Sequence, residues 1–223
     1  MSRTQRELKA LRQQQREEAA ARQRARDRRN LLLIGGGLGL IALVILGVAL
    51  YLNHLSQVTK AQQLSFQTVS GTIGTKVADE GRNHVAPNTT PTYQFYPPAS
   101  GPHYNLQGYA PVAWQTIAPD NQPLQEGQYI HNLEHGGIAI LYNCPGGCST
   151  LVGQLKNYVQ NVAPAEPVYN EVKLVMSPYA RGMGSHKIAL VAWDYIEFLD
   201  SYDQNAITKF YENHVDQGPE QIA

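Results

Sequence analysis

The chain of 223 residues has no net charge, eighteen Lys and Arg being offset by eighteen Asp and Glu. That balance argues against a protein whose whole surface binds nucleic acid, and no nucleic-acid partner is expected. Cysteine is nearly absent. Only Cys144 and Cys148 occur, enough to staple a turn but not a domain. There is no Ser-centred elbow, no Walker-type loop and no dinucleotide fingerprint, which removes the function classes those motifs serve. The length allows one domain of ordinary size plus extras and excludes a multi-domain machine.

Charged side chains are also missing from Leu31 to Leu52, and that gap divides two unlike pieces. Residues 1–30 hold ten Lys/Arg against four acids, whereas the remainder holds eight against fourteen. At about 1.5 Å per residue, a helix over 31–52 would reach roughly 33 Å, enough to cover a hydrocarbon core of roughly 30 Å. The expectation is one uncleaved N-terminal transmembrane helix with the lipid bilayer as its partner. The basic flank then places the N-terminus in the cytoplasm and the C-terminal domain outside, a single-pass protein of the cell membrane. The expected divisions are a cytoplasmic basic arm (1–30), the transmembrane helix (31–52), a stalk (53–75) and an extracytoplasmic domain (76–223).

Within that domain, residues 76–128 are dense in Pro, Gly and Tyr, which leaves no room for a long helix and favours ordered loop with short strands. Beyond them the pattern sharpens. Residues 137–142 read as a buried strand, 149–161 as a helix, 171–176 and 187–193 as strands, and 203–214 as a final helix. The fold class is α+β with an α/β-like core. Its strand–helix–strand–strand–helix order is the order found in the C-terminal part of thioredoxin-like folds.

The chemistry-bearing residues are histidines first. His131-Asn132-Leu133-Glu134-His135 would bring both imidazoles to one side of a helical turn. As H-x-x-E-H it matches the inverted zincin signature, in which the glutamate is a general base. Gly136-Gly137 should stop a helix directly after His135, and the following residues read as strand, so the zincin reading is discounted. His103, presented by the rigid Pro97–Pro102 segment, joins His131 and His135 as the core of a candidate metal site. His84 is the next ligand and Glu134 a carboxylate that orients an imidazole. Imidazole is the commonest metal ligand, and a transition metal is the expected cofactor.

Cys144 and Cys148 lie in Cys-Pro-Gly-Gly-Cys between a strand and a helix. They read as a disulfide staple or as a soft-metal or redox pair. Met183 and His186 add a thioether and an imidazole on one loop, so these four residues form a separate, weaker candidate site that suits copper. Copper is therefore favoured over zinc. Strand, Cys-Pro-x-x-Cys, helix and a distant histidine before a hairpin strand are similar, in order only, to Sco-type copper chaperones.

Taken together, His84-Val85, Pro97 to His103, His131 to Gly137, Ala192-Trp193 and Gly218-Pro219-Glu220 resemble a bacterial domain-of-unknown-function family of membrane-anchored proteins. Its blocks are SGPH and HNLEHG, and the resemblance runs over about residues 80–220. It implies a fold family and a location without an established activity. The expected function is a membrane-anchored extracytoplasmic metal-binding protein, acting in metal handling or in support of a membrane redox or metal-transport protein. The alternatives are a zinc-dependent hydrolase using H-x-x-E-H, or a non-catalytic interaction module in which the histidines are structural.

Overall fold

The computed structural model describes residues 22–24, 26–31, 34, 43–53 and 73–222. The chain divides into two compact units, Met1–Val58 and Thr59–Ala223.

The described residues of the first unit are helical. No helix among the described residues is long and apolar enough to cross a membrane. This corrects the transmembrane helix expected over 31–52, and with it the lipid bilayer as partner and the single-pass cell-membrane location. The extracytoplasmic placement and the membrane redox or metal-transport partner lose their basis too. Residues 32–33 and 35–42 of that span, most of the arm expected over 1–30 and residues 54–72 of the stalk lie outside the described residues.

The second unit is a mixed α/β fold. Its strands are β1 (Thr75–Lys76), β2 (His84–Val85), β3 (His103–Tyr104), β4 (Ile138–Tyr142), β5 (Leu174–Pro178), β6 (Ile188–Ala192) and β7 (Tyr195–Leu199). Its helices are α1 (Glu126–Glu134), α2 (Ser149–Asn157), prolonged by a π-helical turn at Tyr158–Val162, and α3 (Gln204–His214). The main sheet runs β1-β7-β6-β4-β5, with β4 and β5 parallel and the other neighbours antiparallel. β2 and β3 form a separate parallel pair.

β4 and β6 are continuous apolar runs because both faces of the sheet are covered. Successive side chains alternate in direction, so Ile138, Ile140 and Tyr142 meet Leu155 and Tyr158 and, from α3, Ile207, Phe210 and Tyr211. Ala139 and Leu141 meet Tyr129, Ile130 and Leu133 of α1 on the opposite face. The result is three layers, with α1 and the Pro-rich loops forming one of the outer ones.

Two elements depart from the sequence pattern. The expected order gains a strand, because β7 follows β6 through a tight turn at Trp193 and Asp194, the latter at φ 62°. The short segment Tyr195–Leu199 alternates weakly and gives little periodic signal. The second departure matters more for function. α1 is a helix for which the sequence pattern assigned no full-length element, its first three residues falling in the stretch read as loop, and seven of its nine residues are buried. Burial of Tyr129, Ile130 and Leu133 against the sheet supplies what its intrinsic propensity does not.

Candidate metal centre

Helix α1 delivers the H-x-x-E-H segment in its last turn. His131 and Glu134, three apart, lie on one side of the helix. His135 caps the helix at φ −82° and ψ 15°, and its N–H donates to the His131 carbonyl at 3.2 Å. Gly136, at φ +78°, donates to the Leu133 carbonyl at 3.0 Å, and Gly137 donates to the Asn132 carbonyl at 2.8 Å. This is a Schellman ending, which needs a residue free to adopt positive φ at position 136. The double glycine closes the helix directly after His135, as its sequence suggests, and turns the chain into β4.

The other two imidazoles come from the small parallel ladder, whose register pairs His84 with His103. Neighbouring strands lie about 4.8 Å apart, and the two imidazole centroids are 4.8 Å apart, edge to face. His103 is held by the segment before it. The Gly101 N–H donates to the Gly81 carbonyl at 2.7 Å, the His103 N–H to the Asn83 carbonyl at 3.0 Å, and the Tyr93 hydroxyl to the Pro102 carbonyl at 2.8 Å.

These elements converge on the Glu134 carboxylate. Its Oε2 lies 2.9 Å from His103 Nε2, 3.3 Å from His84 Nε2 and 4.0 Å from His131 Nε2. His103, His131 and Glu134 are buried, while the His84 side chain is 42% exposed and forms the mouth of the cluster. One ligand atom from each of the four residues fits within 4.8 Å of all the others, so the cluster could coordinate a transition metal. Bonds of about 2.0–2.2 Å at tetrahedral angles set donor atoms about 3.3–3.6 Å apart, within the spread of the Glu134 distances.

The outer nitrogens fix the tautomers. His103 Nδ1 faces the Gly101 carbonyl at 2.8 Å, and His131 Nδ1 faces the Tyr104 carbonyl at 2.6 Å. A carbonyl oxygen only accepts, so each Nδ1 carries the hydrogen and donates it. With Nδ1 as the donor, each Nε2 is the ring nitrogen left on the side of the Glu134 carboxylate, 2.9 Å away for His103 and 4.0 Å for His131. Burial lowers the His131 pKa to about 4, with further lowering from His135 and His103, against the pull of the Tyr104 carbonyl. That ring is neutral at physiological pH.

His135 takes a different place from the one expected. It leaves the His84, His103 and His131 group and joins Glu134 and Glu220, whose ligand atoms also converge within 4.8 Å. Burial lowers its pKa as well. The Glu134 carboxylate, expected to orient an imidazole, converges within 4.8 Å of the ring nitrogens of His84, His103 and His131. Glu220 was missed as a site residue. Its only sequence signal was the Gly218-Pro219-Glu220 block, far from the histidines along the chain.

Among the described residues, Cys144, Cys148 and His186 belong to no convergent ligand group. Cys144 and Cys148 are joined as a disulfide at the α2 N-terminus. Met183 is fully buried in the core layer that includes Tyr129 and Leu133. His186 stacks on Phe198 and pairs with Asp200, its Nδ1 2.7 Å from Oδ1. A cavity of about 780 Å³ borders the disulfide and includes Tyr142 and Tyr179, but none of the clustered histidines lines it.

Residues 84–223 match a family described as a protein of unknown function (DUF3105). The chain belongs to that family. The DUF3105 region begins at His84 and includes every residue of both histidine–glutamate groups. No curated protein matches the chain, and no solved structure does. The similarity to Sco-type copper chaperones therefore has nothing to support it, and DUF3105 membership brings no activity with it.

Proposed function

We propose that the domain is a metal-binding module in which His84, His103, His131 and Glu134 hold a divalent ion of the zinc class. The observation that supports this is the pair of carbonyl-fixed tautomers, which leave His103 Nε2 and His131 Nε2, 2.9 and 4.0 Å from Glu134 Oε2, as the ring nitrogens available to a metal. Metal-bound histidines have this outer hydrogen bond as a rule. Three nitrogens and a carboxylate oxygen form a borderline-to-hard set that suits Zn(II) and carries no preference for Cu(I). The soft donors that favoured copper are placed elsewhere, the cysteines as a disulfide and Met183 in the core.

The test is elemental analysis and calorimetric titration of the full chain after chelation. One tightly held zinc is expected, lost in His103→Ala and His131→Ala. Failure of the chelated chain to retain zinc or copper would refute the reading.

Zinc-dependent hydrolysis is the second reading, favoured by the half-exposed His84 at the mouth of an otherwise buried cluster. There the imidazoles hold the metal and Glu134 acts as base. Its signature is ester or peptide turnover that Glu134→Gln abolishes while the zinc stays bound. Loss of the zinc in that variant assigns Glu134 to coordination instead.

A further inference from the structure

We infer that the centre holds two ions, the second bound by Glu134, His135 and Glu220, so that Glu134 is shared between them. This rests on the metal-binding reading above and extends it. Glu134 is the only residue common to the two convergent groups. Its Oε2 faces His84, His103 and His131 on one side, while on the other His135 Nε2 lies 3.5 Å from Glu220 Oε2. The His131 and His135 ring centroids are 4.5 Å apart, so ions on these two histidines would be near neighbours. Paired metal ions commonly lie about 3.5–4 Å apart, a distance that one carboxylate bridges through its two oxygens.

Glu220 is brought to this place by a built feature. The C-terminal segment folds back over the end of α1, where the Asp216 N–H donates to the Gly136 carbonyl at 2.9 Å and the Glu220 N–H to the Glu134 carbonyl at 3.0 Å. Between these anchors Gly218 is pressed so closely against the backbone of Leu133, Glu134 and Gly136 that a Cβ would collide with all three. A buried ammonium ties the same segment from beneath. Lys173 Nζ donates to Asp216 Oδ1 at 2.8 Å and to the Ile222 carbonyl at 2.7 Å, so both flanks of Glu220 are held by one side chain. The position of Glu220 over His135 is thus imposed from two directions.

Each half has one partly exposed ligand, His84 at 42% in the first and Glu220 at 41% in the second, but the first has four protein ligands and the second three. His135 also lines a cavity of about 540 Å³ with Tyr109, Trp114 and Asn132. The second ion has three protein ligands and leaves positions for water or a small oxyanion, the arrangement of an exchangeable ion rather than a structural one. It is a first-row divalent cation, Zn(II) or Mn(II), and the weaker of the pair.

Equilibrium dialysis of the full chain against Zn(II), read by elemental analysis, tests this together with electron paramagnetic resonance of the Co(II)-loaded protein. Two ions per chain are expected, the second about tenfold or more weaker, with Co(II) signals broadened by coupling at full loading. Glu220→Gln should lose the weaker ion and keep the tighter one, and His135→Gln repeats the test from the other ligand should Glu220→Gln fail to fold. Saturation at one ion, or two ions unaffected by both variants, overturns the second site and leaves the first standing. Absence of any retained ion overturns both.

Discussion

Replacing Glu134 by Gln separates a metal centre from a purely structural histidine–carboxylate cluster, because the two assign opposite roles to the same buried charge. Glu134 is 1% exposed and faces three imidazoles. In a metal centre, the apo protein must balance that carboxylate without its ion. The neutral amide of Gln removes the burden and can donate to a bare Nε2. Apo stability should therefore stay within about 1 kcal/mol of the parent or rise. Metal binding should suffer, since the only anionic ligand of the first group is gone. A loss of about 100-fold in affinity corresponds to about 2.7 kcal/mol. At a zinc concentration of about 100 times Kd, the parent gains about 2.7 kcal/mol on binding. At about 2–4 °C per kcal/mol for a chain of this size, Tm should rise by about 5–11 °C. The variant, at the same zinc concentration, is only half-saturated and should rise by about 1 °C. Calorimetric scans with zinc and with chelator give all four values. If the cluster were an imidazolium–carboxylate pair with no metal, Glu134→Gln would leave a buried cation unpaired. It would then cost about 3–5 kcal/mol in the apo state. That result, or an undiminished zinc shift in the variant, would refute the assignment of Glu134 as a ligand.

Gly218→Ala should lift the C-terminal segment from α1, because the new Cβ meets backbone that cannot yield. A loss of about 1–3 kcal/mol is expected in urea denaturation, together with the weaker ion; an unchanged midpoint would refute the close approach. Removing the Cys144–Cys148 disulfide by a double Ser substitution should cost about 2 kcal/mol, the loop-closure value for cysteines four apart, with zinc stoichiometry unchanged. Loss of zinc in that variant would tie the disulfide to the metal centre.

The pH dependence of apo stability has a defined sign. Burial holds His131 down to about 4 and lowers His135 and His214, so the unfolded chain binds more protons between about pH 4 and pH 6.5. Stability should fall as pH drops through that window, by about 3 kcal/mol from His131 alone. Asp216 opposes this. Burial raises it to about 6, a contribution present at low pH and lost as pH rises through 6; burial also raises Asp194 and Glu197, while Glu166 is lowered and acts with the histidines. Urea midpoints of the parent in chelator should therefore increase from pH 4 to pH 7 relative to those of His131→Gln, and a flat or falling difference would refute the neutral buried His131.

Local pattern was enough to read the β4 and β6 runs, helices α2 and α3, the closeness of Cys144 to Cys148 and a histidine–glutamate group as the place to look for a metal. These features are encoded within a few residues each, by apolar periodicity, capping and spacing. Tertiary structure decided the rest. Residues 126–134 are helical because the sheet buries them, which no local propensity reports. His84 meets His103 only through the register of a two-residue parallel ladder, and Glu134 becomes a convergence point only when that ladder packs against α1. Glu220 reaches His135 because Lys173 and a glycine-sized gap fix the chain's return over α1, a contact between segments some eighty-five residues apart. The sequence by itself determined which donor atoms were available. Their division into two groups sharing one carboxylate was decided by long-range packing, since ligand geometry depends on where separate elements meet and not on spacing along one of them.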